Sequence, residues 1–302
     1  MIAGLSGGGR LRRALIAAAV AASMLAGLVW WTLAPVLGRA DAAEEAVGIH
    51  KVAGTHWRPE RGEPLFVAVL GSDTRQGPPG GGGRCDAIHI VAINPQQRAG
   101  TILNFPRDSN IGGFTKVNAA CTGGPDRMIQ ALRSHTGIPI HYYATTEFSH
   151  FQAFINELGG VEVNVPYDMH DSPSGADFRP GRIRMDGRAA LAFSRNRKDT
   201  PRGDFSRTDN QGLFILASLE KFRAEAADPH RIFDYVKAAR RHISADVPVS
   251  EFIKLALLAR DIDPAAVRNM TIPGSTGSIG GASVVFLAPG DIYQRVRDDG
   301  IY

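Results

Sequence analysis

Two short segments confine the fold of this sequence more than any others. Leu65 to Leu70 is an unbroken apolar run ending at Gly71, and Ala87 to Ile93 is a second, nearly continuous one ending at Asn94-Pro95. A strand that is apolar on both sides needs cover on both sides, which helices packed above and below a sheet supply. Helical patterns do recur. Pro125 stands near the start of an amphipathic helix that carries Met128, Ile129 and Leu132, with Gly137 past its end. Ser149 followed by Gln152 reads as a capping box ahead of Phe151, Phe154, Ile155 and Leu158, with Gly159 as the stop. Val161 to Val165 alternates as a strand, and a third helix is expected from Ser206, with Gln211, Ile215, Leu219 and Phe222 on one face. Further helices are expected near 229–242 and 250–260, and short strands near 270–272 and 283–287. Strands interleaved with helices, without strict βαβ repetition, predict a mixed central β-sheet in an α/β/α sandwich.

The amino-terminal region sets the expected location. Arg10, Arg12 and Arg13 precede a stretch from Ala14 to Leu37 without a single charge. As a helix that stretch would be roughly 36 Å long, enough to cross a hydrocarbon core of about 30 Å. The arginines place the amino terminus in the cytoplasm, and Trp30 and Trp31 suit the far interface. A cleaved signal peptide with Ala40-Asp41-Ala42 as its processing site is the rival, but its apolar region would exceed the usual length of about 7–15 residues. The expected organisation is therefore a cytoplasmic tail at 1–13, one transmembrane helix at 14–37 and a stalk at 38–64. An extracytoplasmic domain follows at 65–302. Of 302 residues 44% are hydrophobic, which excludes a disordered chain. The 34 basic residues exceed the 30 acidic ones by four, and three of those four lie in the tail, so the exported part is nearly neutral and no nucleic-acid partner is expected. Cys85 and Cys121, outside the cytoplasm, read as a structural disulfide, the alternative being two reduced core thiols. No CxxC or HExxH accompanies them, so zinc is not expected.

Four polar clusters sit where elements begin or end, the places where a sheet scaffold carries its sites. They are Gly71-Ser72-Asp73-Thr74-Arg75, Arg84-Cys85-Asp86, Phe105-Pro106-Arg107-Asp108, and residues 179–207. Singly, each of the first three is also an ordinary solvated turn. The glycines at 80–83 lack a following Lys or Ser and make no Walker-type phosphate loop. The fourth cluster holds Arg179, Arg182, Arg184, Arg188, Arg195, Arg197, Arg202 and Arg207, plus Lys198, with only Asp186, Asp199 and Asp204 between them. Codon bias explains an arginine-rich chain but not such crowding. If extended, Arg195 and Arg197 share one face, and Arg207 and Gln211 are one helical turn apart. Guanidinium grips phosphate with a planar fork, so the cluster suits a ligand with more than one phosphate, and the nearby carboxylates suit a divalent ion.

The series GSDTR, RCDAIHIVAINP, ILNFPRD, KVNAAC, GGPD, TGIPIHYY, ELGGVEVNVPYDMHD, DGRAALAFSRNR and RGDFSRTDNQ, in this order over about residues 65–222, resembles the LytR-CpsA-Psr family of cell-wall glycopolymer ligases. One membrane anchor before an external domain is also that family's layout. The resemblance implies a phosphotransferase that moves a glycan from a polyprenyl-pyrophosphate carrier onto peptidoglycan through a phosphodiester, at the outer face of the cell membrane. By motif, Asp73 and Asp86 would hold Mg2+ or another divalent cation. Arg75, Arg107, Arg195, Arg197 and Arg207 would grip the pyrophosphate with Gln211, and Asp108 and Asp204 would orient the arginines or accept a proton. Arg107, Asp108, Asp204 and Arg207 are thus the expected catalytic set. Where many members have Arg-Gln this chain has Asn210-Gln211, leaving one cationic contact absent or supplied by Arg202. That form and the cysteine of RCD resemble members from high-GC Gram-positive bacteria, for which arabinogalactan is one cargo. Phe148, Phe151, Phe154, Phe193 and Phe214 are candidates for an apolar lipid groove, or plain core. His89, within a strand, is expected to be packed or paired. The alternatives are hydrolysis of polyprenyl pyrophosphates and a non-catalytic sensor of anionic wall polymers or lipid-linked precursors.

Overall fold

The computed structural model describes residues 47–73, 83–245 and 247–302. The first half runs β1 (Val47–Lys51), β2 (Leu65–Asp73), β3 (Arg84–Asn94), β4 (Ala99–Asn104), α1 (Pro125–Thr136), β5 (Tyr142–Glu147), α2 (Phe148–Glu157), β6 (Val161–Val165), β7 (Met169–Asp171) and β8 (Ala176–Phe178). The second half runs β9 (Gly181–Met185), α3 (Gly187–Arg195), α4 (Asp204–Glu225), α5 (Pro229–His242), β10 (Ile243–Ala245), α6 (Val249–Asp261), β11 (Val267–Thr271), β12 (Gly274–Ile279), β13 (Ala282–Leu287) and α7 (Ile292–Asp299). Seven strands form one sheet in the order β10-β1-β5-β2-β3-β4-β11. β2 pairs antiparallel with β3 and parallel with β5, and β4 pairs parallel with β11, so the sheet is mixed. The two fully apolar segments are thus central strands, as their sequence requires.

The two sides of these strands are buried by different partners. Phe66, Ala68, Leu70, Ile88 and Ile90 pack on Met128, Ile129 and Leu132 of α1 and on Val296 of α7. On the opposite side Leu65, Val67, Ile93 and Ile102 meet α6 and α4 through Phe252, Leu258, Ile215 and Leu219. The same side further along the strands carries Val69, Ala87 and His89, which line a cavity together with side chains of α2, α3 and α4. A separate small core joins α2, α3 and α4 to the two-stranded antiparallel sheets β6–β9 and β7–β8 around Ile155, Val163, Met185, Phe193 and Phe214. Gly187 opens α3 where a Cβ would overlap the Gln152 backbone, so glycine lets α3 lie directly on α2.

Four expectations need correction. The stalk at 38–64 is not a structureless linker: β1 pairs with β5 and β10 inside the main sheet, and Trp57 packs on the Leu65 side of it with its indole N–H donating to the Glu63 carbonyl at 2.9 Å. Five residues with Val47 and Ile49 alternating are too short a pattern to stand out in sequence. The capping box does not form, because α2 begins at Phe148 with Glu147 in the cap position and no side-chain cap. Arg195 and Arg197 do not share an extended face; Arg195 closes α3 and Asn196 is its carboxyl cap. The third helix starts at Asp204, two residues before Ser206. Residues 1–37 and Arg75 lie outside the described residues. Among the described residues no helix is long and apolar enough to cross a membrane.

Candidate active site

Cys85 and Cys121 form a disulfide, with 5.7 Å between their Cα atoms. It ties the start of β3, and so Asp86, to the turn that follows the Phe105-Pro106-Arg107-Asp108 loop. That turn holds the loop by its backbone, Asn118 N–H donating to the Arg107 carbonyl at 3.1 Å and Val117 N–H to the Ser109 carbonyl at 2.8 Å. Arg107 then reaches Asp86, Nη1 to Oδ1 at 2.7 Å. From the other side, the first turn of α4 supplies Asp204 and Arg207, paired at 2.6 Å, with Arg197 Nε 3.7 Å from the same Asp204 oxygen. Arg207 is only 5% exposed. Gln211, one turn further along α4, donates to the Ser194 carbonyl at 3.0 Å and to the Asp86 carbonyl at 3.3 Å, bridging α3 and β3.

These groups converge on a cavity of about 290 Å³. Its walls are apolar, built from Val69, Phe148, Phe151, Leu191, Phe214 and Ile215, and Arg107, Arg195, Arg197, Lys198 and Arg207 line it together with Asp86, Glu147 and Asp171. Arg195 stacks over the Phe148 ring at 5.2 Å from its centroid, so it belongs to both the charged and the aromatic part of the wall. Of the five phenylalanines considered for a groove, Phe148, Phe151 and Phe214 line the cavity, while Phe154 and Phe193 pack in the separate small core. Asp204 stands behind Arg207 and Arg197. Asp108 is turned to Lys116, 3.3 Å away, and to Arg107 Nε at 3.9 Å, and does not line the cavity.

The electrostatics are those of a cationic site awaiting an anion. Burial opposes the charge of Arg107, but Asp86, then Asp204 and Asp108, outweigh it and hold its pKa above the ordinary value. For Arg207 burial wins: Asp204 offsets it only in part, Arg107 and Arg197 repel, and the pKa is pushed down. Arg207 Nε and Arg107 Nε are buried without a hydrogen-bond acceptor, while Arg207 Nη2 faces Asp204. Phosphate oxygens are the chemistry that such guanidinium edges lack. For a divalent ion the strand pairing sets Asp73, opposite Arg84, beside the Asp86 segment. Among the described residues no cluster of three or more His, Cys, Asp or Glu could hold an ion. One or two carboxylates completed by substrate phosphate is how magnesium is commonly held, so the donor set fits that mode alone.

Three titratable lining residues, Asp171, Glu147 and His89, were not singled out as site residues in sequence, and Lys198 was read there only as part of the arginine-rich cluster. Asp171 Oδ2 accepts from the backbone N–H of Arg197 at 3.0 Å and so fixes the turn that carries this arginine. Glu147 and Lys198 reach the site only because β5 and the α3–α4 turn end there. His89, expected to be packed or paired, is paired: Nδ1 lies 2.7 Å from Asn104 Oδ1. In sequence its one signal is a titratable ring inside an apolar strand. Asn210 leaves the opposite side of α4 and donates to the Tyr167 hydroxyl at 2.9 Å, and Arg202 pairs with Asp209, so neither supplies a cationic contact to the cavity.

The model of the LytR_cpsA_psr family matches residues 38–299. The chain belongs to this family. Among LytR-CpsA-Psr proteins it is 27% identical, over 92% of its own length and 75% of the relative's, to the polyisoprenyl-teichoic acid–peptidoglycan teichoic acid transferase TagV of Bacillus subtilis (strain 168). It is 31% identical to the transferase TagU of Bacillus mycoides (strain KBAB4), spanning about half of each chain (53%). The crystal structure of B. subtilis TagV superposes with a TM-score of 0.66 at 28% identity, covering 78% of this chain and 95% of that one. The mixed-sheet architecture is thus that of the LytR-CpsA-Psr enzymes.

Two buried histidines make stability depend on pH. Burial holds His89 at about 4, against support from Asn104 and Gln211. Burial, with Arg133 adding and Glu63 opposing, holds His141 at about 4 as well. His141 Nδ1 also accepts the Phe66 N–H at 3.1 Å, a bond that protonation of that nitrogen would break. Unfolded histidines take up protons below about pH 6.5, whereas these two stay neutral until about 4. Stability is therefore full above about 6.5 and is lost as pH falls from there to about 4, at roughly 1.4 kcal/mol per pH unit for each group. Urea unfolding at pH 7 and pH 5 checks this, and His141→Gln is expected to shrink the difference by about half.

Proposed function

We propose that this chain transfers a glycopolymer from a polyprenyl-pyrophosphate carrier onto peptidoglycan through a phosphodiester bond. The carrying observation is one cavity lined both by apolar and aromatic side chains and by the guanidinium groups of half-buried Arg107 and buried Arg207, a match for a lipid tail joined to a pyrophosphate. Its relatives TagV and TagU are named as transferases of teichoic acid to peptidoglycan, which supports the same donor and acceptor classes here. The cargo is a polyprenyl-linked glycopolymer, arabinogalactan or teichoic acid. The stretch at 14–37 would anchor the enzyme with its catalytic domain outside the membrane, where both substrates are found.

A hydroxyl oxygen of the acceptor sugar attacks the glycan-proximal phosphorus. The bond from that phosphorus to the bridging oxygen breaks, polyprenyl phosphate leaves with the electron pair, and the hydroxyl proton is lost to a base. Charge grows on the non-bridging and leaving oxygens, and Arg107 and Arg207, fixed beforehand by Asp86 and Asp204, stabilise it without reorganising. Gln211 spans α3 and β3 beside them, while Arg195 and Arg197 complete the grip at the more exposed rim. Asp108 orients Arg107 from outside the cavity. A divalent ion held by Asp86 and Asp73, when bound, would add further charge stabilisation at the phosphate oxygens.

The full-length chain, given polyprenyl-pyrophosphate-linked glycan, peptidoglycan and magnesium, is expected to form the phosphodiester product; EDTA is expected to stop the reaction and added magnesium to restore it. Equal release of polyprenyl phosphate with and without peptidoglycan would replace transfer by hydrolysis. Saturable donor binding without product would replace it by a binding role.

A further inference from the structure

Beneath the site a string of polar side chains, two of them buried, crosses three neighbouring strands. His89 on β3 and Asn104 on β4 are register partners, and Asn269 lies on β11, the next strand. His89 Nδ1 is 2.7 Å from Asn104 Oδ1, Asn104 Nδ2 donates to Asn269 Oδ1 at 2.7 Å, and Asn269 Nδ2 donates to the Asp209 carbonyl of α4 at 3.0 Å. The far end fixes the direction of the whole string. A backbone carbonyl only accepts, so each amide turns its nitrogen toward α4, and His89 must carry its proton on Nδ1. His89 is 1% exposed and Asn104 0%. Interior polar groups of this kind cost free energy unless every bond is made.

What the string carries is α4. Gly212 sits in the middle of that helix, where glycine is roughly 1 kcal/mol worse than alanine. A Cβ there would overlap Asn269 Oδ1 and come within 2.7 Å of Asn104 Oδ1 and 2.8 Å of its Nδ2. The helix backbone therefore rests directly on the two amides. Arg207 and Gln211 precede Gly212 on the adjoining face, so the depth and rotation that seat Gly212 also aim these two side chains into the cavity. At the near end His89 itself lines the cavity with them, next to Gln211, and Arg207 Nε is buried with no acceptor.

We propose that His89, Asn104 and Asn269 form a positioning string that sets the depth and rotation of α4, and through it the aim of Arg207 and Gln211 at the pyrophosphate. The role given to Arg207 and Gln211 rests on the proposed function; the string's polarity does not. In the full-length chain, Asn104→Ala is expected to lower kcat roughly 10-fold while the KM for lipid-linked donor stays within about threefold, because the apolar walls are untouched. In a background carrying both Arg207→Lys and Gln211→Ala, which removes the two side chains that the string aims, the same substitution is expected to lower kcat by less than about twofold. Asn104→Asp keeps the size and the acceptor for His89 but cannot donate to Asn269; it is expected to fall between wild type and Asn104→Ala, and it serves if the alanine variant does not fold. Ring-nitrogen NMR, with the His89 signal assigned by its loss in His89→Gln, is expected to show the neutral Nδ1–H tautomer. That spectrum reads the string whether or not the chain transfers glycan, so a failed transfer assay counts against the proposed function alone. The proposal is overturned by a neutral His89 protonated on Nε2, by kcat within about twofold of wild type in both Asn104 variants, or by the full Asn104→Ala loss persisting in the background that lacks both aimed side chains.

Discussion

Arg207→Lys is expected to reduce transfer by about 10²- to 10³-fold with little change in the unfolding midpoint. Removal of one preorganised donor from a developing oxyanion typically costs roughly 3–4 kcal/mol of transition-state stabilisation. A lysine keeps the positive charge against Asp204 but offers a point charge in place of a planar fork. Alanine is the poorer test. Arg207 and Asp204 are both nearly buried and lie 2.6 Å apart, so truncation leaves a carboxylate buried with only the more distant Arg197. Loss of one partner of a buried pair costs about 3–5 kcal/mol of stability, which would mix folding with catalysis. Transfer rates per folded molecule, measured beside the midpoint, separate the two effects. A lysine variant within about fivefold of wild type would show that the fork is not used.

The second large effect is expected from the disulfide. Changing Cys85 and Cys121 together to Ser is expected to lower the unfolding free energy by about 3–4 kcal/mol, the chain-entropy value for a bridge spanning 36 residues. Activity should fall as well, because Asp86 follows Cys85 directly and Asn118, close to Cys121, holds the Arg107 carbonyl. Urea titrations with and without a reductant provide the check: wild type shifts, the double serine variant does not. An unchanged wild-type midpoint after complete reduction would mean that backbone bonds alone hold the loop.

Much of the scaffold was legible in sequence because it rests on local periodicity. The runs at 65–70 and 87–93, the helix after Pro125 and the alternation at 161–165 each state their own burial. β1, β5 and α3 were not legible. Val47–Lys51 is short, and Tyr142–Glu147 is a strand only because β1 and β2 flank it. In α3 the apolar side is made of Ala190, Ala192 and Phe193, a narrow stripe broken by arginines.

The site divides in the same way. Sequence alone determined that guanidinium chemistry dominates, that Asp86, Arg107, Asp204 and Arg207 stand at the ends of elements, and that Cys85 and Cys121 were available to bridge. Tertiary structure decided which arginines converge. Arg182 leaves β9 toward Glu162, Arg184 binds the Gly159 carbonyl, and Arg202 turns to Asp209, all away from the cavity despite belonging to the densest cluster. Arg107, about 90 residues from Arg197, reaches the same cavity. Density along a chain is a local property, whereas the direction in which a side chain leaves its element is set by strand pairing and helix rotation. The amides of Asn104 and Asn269 could be seen as supports only once β4, β11 and α4 were stacked.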